Sequence, residues 1–403
     1  MTMAPHLVFF ALAALWLAYL IVERVRLDRH RRTVPVRIAV TGTRGKTTVT
    51  RRLAAVLSQD GRSVLAKTTG SEAAYLFPDG TVQGIPRLGA PSIIEQKHLI
   101  RRGAKMGVEV VLAEVMSLHR ENHRVEIQKL LQPHLVVVTN FRVDHMEAQG
   151  RTRDEVASVL ALDVPPGARA FVSEVEWNDS FDWSVGVSGG EVIRVPSGEA
   201  RVSGEAPEME RHGEFESNLD LVWAVARHLG VRDDVIREGL RHVQDDVGAL
   251  RSWQIQGEEA QEPWLLVNAF AANDPESTLR VYDRVAEAQG FGPEACIGLL
   301  NLRADRGDRS LQWAEALESG AISRFRRLYL AGLHARAVSH RLRNHSEAGR
   351  IELLRPSSPE DTMEQVLGSE VSRGGLLFGF GNIHGLGETL VRHWKKVGKP
   401  HGI

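Results

Sequence analysis

Val36-Arg37-Ile38-Ala39-Val40-Thr41-Gly42-Thr43-Arg44-Gly45-Lys46-Thr47-Thr48 sets an apolar strand, Val36–Val40, directly before a glycine loop. Thr48–Asp60 follows with helical spacing and stops at Gly61. Glycines let successive backbone N–H groups turn toward one anion, and a helix N-terminus adds partial positive charge. Lys46 can then reach terminal phosphates and the Thr47 hydroxyl can bind Mg²⁺. The longer phosphate-loop pattern G-x-x-x-x-G-K-[ST] needs glycine at position 40, where this chain has Val40, so the signal is the shorter G-T-x-G-K-T-T. A glycine turn before any helix is the bland alternative. Strand, turn, lysine and helix in this order predict a nucleotide site formed by Gly42, Thr43, Arg44, Gly45, Lys46, Thr47 and Thr48.

Outward from this loop, strands and helices alternate. Ser63–Ala66, Val108–Ala113, Leu135–Val138 and Ala168–Ser173 read as strands, and Ile93–Gly103, Arg153–Leu162, Asn218–Leu229 and Asp233–Gln244 as helices. Glu191–Gly213, rich in glycine, proline and charge, reads as hairpins or an irregular excursion. Glu258–Pro263 reads as a linker, after which strands (Trp264–Asn268, Cys296–Leu300, Arg327–Ala331, Leu376–Gly379) and helices (Pro275–Gln289, Ser358–Leu367, Glu388–Lys396) resume. The expected class is α/β: a phosphate-loop domain over 33–258 with a mainly parallel sheet, then a smaller Rossmann-like domain over 259–403.

The 403 residues carry 50 Lys+Arg against 51 Asp+Glu, a net charge of −1, so no basic field supports nucleic-acid binding. The one cysteine, Cys296, excludes an internal disulfide and Cys-rich zinc sites, and fits a reducing compartment. The N-terminus departs from the average composition. Leu7–Val22 is sixteen residues without a charge, nineteen with Ala4, Pro5 and His6. A helix of that length covers roughly 28 Å, close to a hydrocarbon core. A signal peptide would want a charged start and small residues at a cleavage site. A core helix would not carry so long an uninterrupted apolar run at a terminus. Residues 1–32 therefore read as a membrane anchor, and Arg24, Arg26, Arg29, Arg31 and Arg32 place the body in the cytoplasm: a single-pass protein of the cell membrane.

Gly42–Thr48, with Glu114-Val115-Met116-Ser117 closing one strand and Asn140-Phe141-Arg142-Val143-Asp144-His145-Met146-Glu147 closing the next, resembles the Mur ligase superfamily. The resemblance implies a Mur-ligase-type central ATPase domain, ATP as cosubstrate and Mg²⁺ held by Thr47, Glu114 and His145. By residue type alone, Glu114 could equally be a salt-bridge partner and the Asp-His pair a loop feature. The family's carbamylated lysine, about fifteen residues after that histidine, has no counterpart, because no lysine lies between Lys129 and Lys395. One metal site is expected; a second would need another carboxylate or water. The resemblance also assigns Asn218 to the adenine side, where a helix N-cap is an equally good local reading. It gives Arg251 a phosphate contact, which suits a fixed, always charged fork of donors.

Within the superfamily the chain most resembles the ligase subunits of poly-γ-glutamate synthase, of capsule and secreted-polymer biosynthesis. The anchor, Lys67-Thr68-Thr69-Gly70, Glu95-Gln96-Lys97, Asn268–Asp274, Asn301–Arg306 and Gly379–Gly385 carry the match. It implies an ATP-dependent amide ligase that phosphorylates a glutamate carboxylate and lets an amine displace the phosphate, with Lys46, Glu114, His145 and Arg251 catalytic. Asn268 falls on the nucleotide side. Lys97, Asn273, Arg303, Arg306 and His384 are candidates for holding glutamate and the growing chain, although each charge could be merely solvated. The implied partners are a small multi-spanning membrane subunit and an extracellular anchored subunit; self-association is left open. Two other classes remain: another membrane-anchored Mur-type peptide ligase, and a phosphate-loop ATPase powering a membrane complex.

Overall fold

In the computed structural model of the chain, the run beginning at Val36 forms β1 (Val36–Thr41), and its neighbours in space are strands distant in sequence. The residues described are 4–70, 73–87, 91–144, 146–199, 214–243, 250–256, 263–271, 274–303, 307–355, 358–368 and 374–402. They divide into two units, Met1–Gln244 and Asp245–Ile403.

The first unit is built on β1, β2 (Val64–Thr68), β3 (Ala74–Leu76), β4 (Val82–Gly84), β5 (Val110–Glu114), β6 (Leu135–Val138), β7 (Arg169–Ser173) and β8 (Glu191–Val195). Their order across the sheet is β4-β3-β2-β5-β1-β6-β7-β8. Six strands are parallel, and the hairpin β3–β4 adds an antiparallel edge. Central strands buried on both faces explain the unbroken apolar runs. Along β1, Ala39 enters one apolar layer with Leu99, Ile127 and Val136, while Ile38 and Val40 enter the opposite layer with Leu53, Leu112 and Trp223. Register brings Val40 beside Glu114 and Thr41 beside Val138, so the loops after β1, β5 and β6 leave the same sheet edge together.

Helix α1 (Ala4–Arg32) precedes β1, α2 (Lys46–Gln59) follows it, and α3 (Ile94–Met106) leads to β5. Among the described residues α1 is the helix long and apolar enough to cross a membrane, and its most apolar window is wholly exposed. Its last two turns are docked instead. Leu27 is buried, and the Arg31 guanidinium donates to the Lys129 carbonyl at 2.7 Å. Arg37 closes the joint: Nε faces the carbonyls of Leu131 and Gln132 at 3.1 and 3.0 Å, and Nη1 those of Arg31 and Val34 at 2.8 and 3.0 Å.

The second unit contains β9 (Arg251–Ile255), β10 (Trp264–Ala269), β11 (Cys296–Leu302), β12 (Arg327–Gly332), β13 (Ile351–Leu353), β14 (Gly375–Phe380) and β15 (Lys399–His401), in the order β13-β12-β11-β14-β10-β9-β15. Its core strands are parallel, with β9 and β15 antiparallel at one edge.

Two details differ from the sequence expectation, and a third lies in a stretch it left unassigned. Glu191–Val195 is a regular parallel edge strand; the glycine and charge around it masked five residues of extended propensity, and 200–213 lie outside the described residues. Val125–Leu131 is a π-helix. The expected border at 258/259 falls inside the second unit, because β9 pairs antiparallel with β10 across the segment read as a linker.

Arg37→Met removes the donors that tie α1 to β1. A buried carbonyl left without a donor costs about 1–3 kcal/mol. The expected loss is of that order in urea unfolding, with an unchanged m-value.

Candidate functional site

The phosphate loop is pinned from beneath by the end of β6. The Thr139 hydroxyl donates to the Arg44 carbonyl at 2.5 Å, and Asn140 brackets Arg44, accepting from its N–H and donating to its carbonyl, each at 3.1 Å. Gly42 and Gly45 have φ of 121° and 79°, the left-handed region that glycine tolerates. A Cβ on Gly42 would sit 2.1 Å from Thr139 Oγ1, and one on Gly45 2.4 Å from Asn218 Nδ2. Asn218, from the helix Glu214–His228, therefore lies directly against the loop. Its Oδ1 is buried and, among the described residues, has no hydrogen-bond partner. Asn218 stands inside that helix, four residues past its start, and is no helix cap.

At this edge a cavity of about 230 Å³ is lined by Thr41, Gly42, Thr43, Lys46, Glu114 and Asp144, among others. Lys46 bends back to the carbonyls of Gly42 and Thr43 at 2.7 and 3.3 Å. Burial lowers its pKa, while the carboxylates of Glu114 and Asp144 oppose that shift. Arg44 stands 3.8 Å from Asp144. Glu114 is 2 % exposed, and its Oε2 accepts from the Thr47 hydroxyl at 3.0 Å and the Thr69 N–H at 2.8 Å.

Two oxygens ligating one Mg²⁺ at right angles, each about 2.1 Å away, stand about 3 Å apart. The separation of Thr47 Oγ1 and Glu114 Oε2 fits that, and both are hard donors. His145 lies outside the described residues. Among those described, no group of three His, Cys, Asp or Glu is placed to hold a metal ion. Leu160, fifteen residues after His145, lines the cavity with an apolar side chain. Asp163, three residues further on, is already committed: it accepts from Thr41 Oγ1 at 2.5 Å and pairs with His123 Nδ1 at 2.7 Å.

Sequence reasoning missed this His123–Asp163 pair and the layer that supports Glu114. His123 lines the cavity, and its Nε2 is buried without a partner among the described residues. Burial pushes its pKa down, but the Asp163 carboxylate outweighs burial and the net shift is upward. Gln96 donates to the Glu114 carbonyl at 2.9 Å and to Glu126 at 2.6 Å, and Glu126 accepts from the N–H and hydroxyl of Ser117. Burial raises the Glu126 pKa despite those donors. Lys67 is fully buried 3.1 Å from Glu95, which Arg87 grips with two bonds at 2.8 and 2.9 Å. Bonded polar residues 8 to 40 positions apart gave no local sign of this network. The quoted motifs Lys67–Gly70 and Glu95–Lys97 were its visible ends.

Lys97, read as a substrate residue, pairs instead with Glu23 of α1. In the second unit, Asn268 is buried at the end of β10 with Oδ1 accepting from the Phe270 N–H, and Arg251 is exposed on β9 opposite it. Asn301 at the end of β11 donates to the carbonyls of Asn382 and His384 at 2.7 and 3.1 Å, joining the loops that carry Arg303 and His384. Asn273 and Arg306 lie outside the described residues.

With this geometry in view, residues 40–161 match the Mur ligase middle domain, and residues 255–397 match the poly-gamma-glutamate synthase CapB C-terminal domain. The chain is 28% identical over 374 residues to PGA synthase CapB of Bacillus subtilis, covering 92% of this chain and 93% of that protein. It is 32% identical over 284 residues to the capsule biosynthesis protein CapB of Bacillus anthracis, covering 70% and 60%. Its fold is similar to a bifunctional folylpolyglutamate synthase/dihydrofolate synthase of Yersinia pestis complexed with AMPPNP and Mn ion: TM-score 0.62, 16% identity, 95% and 97% covered.

Glu114→Gln keeps the shape of the side chain and removes its charge. Metal-dependent nucleotide affinity should fall by about tenfold or more, roughly 1.4 kcal/mol, with metal-free affinity nearly unchanged; calorimetric titration with and without Mg²⁺ checks this. The raised His123 pKa gives a second expectation. The stability its ion pair contributes is fully present below the ordinary histidine value of 6.5 and is lost as pH rises through the raised folded value. His123→Asn should flatten that segment of a melting-temperature profile taken between roughly pH 5 and pH 9.

Proposed function

This chain belongs to the Mur ligase superfamily, in the poly-γ-glutamate synthase CapB family, and is an ATP-dependent amide ligase; we propose that it joins glutamates into poly-γ-glutamate at the cytoplasmic face of the membrane. The observation that carries the reading is the cavity lined by Lys46 and Glu114, with the Thr47 hydroxyl donating to Glu114, in a chain whose second unit matches a CapB domain.

The carboxylate of one glutamate attacks the γ-phosphorus of ATP, releasing ADP and leaving an acyl phosphate. The amine of a second glutamate attacks the acyl carbon, phosphate departs, and the amine nitrogen loses a proton. Loop N–H groups and the N-terminus of α2 hold the phosphates. Lys46 turns from its own carbonyls onto the phosphoryl oxygens and offsets charge as it builds there. Thr47, Glu114 and His145 would hold a divalent cation, which supplies further charge neutralisation when bound. Asn218 offers its unpaired Oδ1 to the nucleotide. Arg251 is read as a second phosphate contact and Asn268 as part of the nucleotide side. Arg303, His384, Asn273 and Arg306 are read as the glutamate-binding edge of the C-terminal half. Residues 1–32 anchor the body, with a multi-spanning subunit and an extracellular subunit as partners.

Membranes holding the synthase, given ATP, Mg²⁺ and labelled glutamate, should form one amide for each ADP. ADP and phosphate without amide would select the motor ATPase instead. Lys46→Ala should lower amide formation by on the order of a hundredfold or more, the scale of losing a transition-state charge contact, with an unchanged melting temperature.

A further inference from the structure

The anchor and the phosphate cavity are joined without a hinge. α1 is continuous from Ala4 to Arg32, and its last turns are fixed by Arg31, Arg37 and the Lys97–Glu23 ion pair. Both α1 and α3 end a few residues before a strand begins, α1 before β1 and α3 before β5. Those strands are parallel, with Val36 opposite Val110. Each helix therefore runs back along the sheet, from the edge where its strand starts toward the edge where the strands end. The apolar half of α1 consequently projects past the edge that carries the phosphate loop.

Heights along the sheet agree with this. From Arg32 back to Glu23 a helix rises roughly 14 Å. β1 climbs roughly 17 Å over its length. Glu23 directly follows the apolar run, so the start of the hydrocarbon layer stands nearly level with the phosphate loop. Lys97 fixes the same level on α3, and Ile94, one turn further on, is 54% exposed. Three residues earlier is Pro91, which with Arg87 lines the cavity. Arg24, Arg26 and His98 are exposed around this junction and match an anionic surface.

We propose that the lip of the cavity, at Arg87, Pro91 and the first turn of α3, lies against the headgroup layer of the bilayer, with Ile94 seated among the lipids. This rests on the reading of α1 as a membrane anchor. It gives the orientation a use: the phosphate cavity works at the membrane surface instead of in open cytoplasm.

The test uses the full chain in phosphatidylcholine–phosphatidylglycerol vesicles. Native Cys296 is buried, so a maleimide fluorophore reports on an introduced cysteine. Three positions are compared: Trp16→Cys in the anchor, and Ile94→Cys and Met106→Cys at opposite ends of α3, roughly 18 Å apart. The label at 16 should be quenched by nitroxides on acyl chains. The label at 94 should be quenched severalfold more by headgroup nitroxides than the label at 106, which is also exposed. Equal quenching at 94 and 106, with strong quenching at 16, would overturn the proposal and leave the anchor standing. No quenching at 16 would overturn the anchor, and this inference with it.

Discussion

One buried carboxylate organises the nucleotide edge of this molecule. Glu114 ends β5, and its Oε2 accepts from Thr47 at the start of α2 and from the backbone after β2. Three chain segments are thereby brought to one oxygen. A carboxylate 2 % exposed is costly to bury unless donors surround it. Here the donors are the groups that a cation and phosphates would engage. The same constraint that makes burial of the carboxylate tolerable holds the start of α2 and the backbone after β2 beside it.

Behind Glu114 stands a layer of polar residues that fixes where the carboxylate can be. Gln96 reaches its backbone carbonyl, and Glu126 holds Gln96 and the backbone of Met116 and Ser117. Lys67, Glu95 and Arg87 form a second chain of charges beside it. Buried polar groups of this kind are tolerable only when satisfied together, because each unpaired member would carry its full desolvation penalty. The shared bonds tie the pocket wall to α3, and the Lys97–Glu23 pair ties α3 to α1.

His123 and Asp163 show how tertiary packing reassigns residues. Asp163 could have served as a metal carboxylate in place of the missing lysine, yet Thr41 and His123 occupy both of its oxygens. Leu160 fills the wall beside them. The cavity wall there carries the Leu160 side chain and a buried His123.

The sequence by itself determined the elements that depend on local pattern. Alternating strands and helices, the phosphate loop, the apolar terminus and the strand-end position of Glu114 all follow from periodicity, glycine placement and residue type over short windows. It also supplied Lys67 and Gln96 as motif members without saying what they do. Only the tertiary structure decided that Lys97 joins α3 to α1, that Arg251 and its strand belong to the second unit, that Glu191–Val195 completes the first sheet, and that His123 meets Asp163 forty residues away. The physical reason is the same in each case. Hydrogen bonds and ion pairs across a parallel sheet join residues whose separation in sequence is set by intervening helices, and nothing in a short window encodes which distant partner a polar side chain will find.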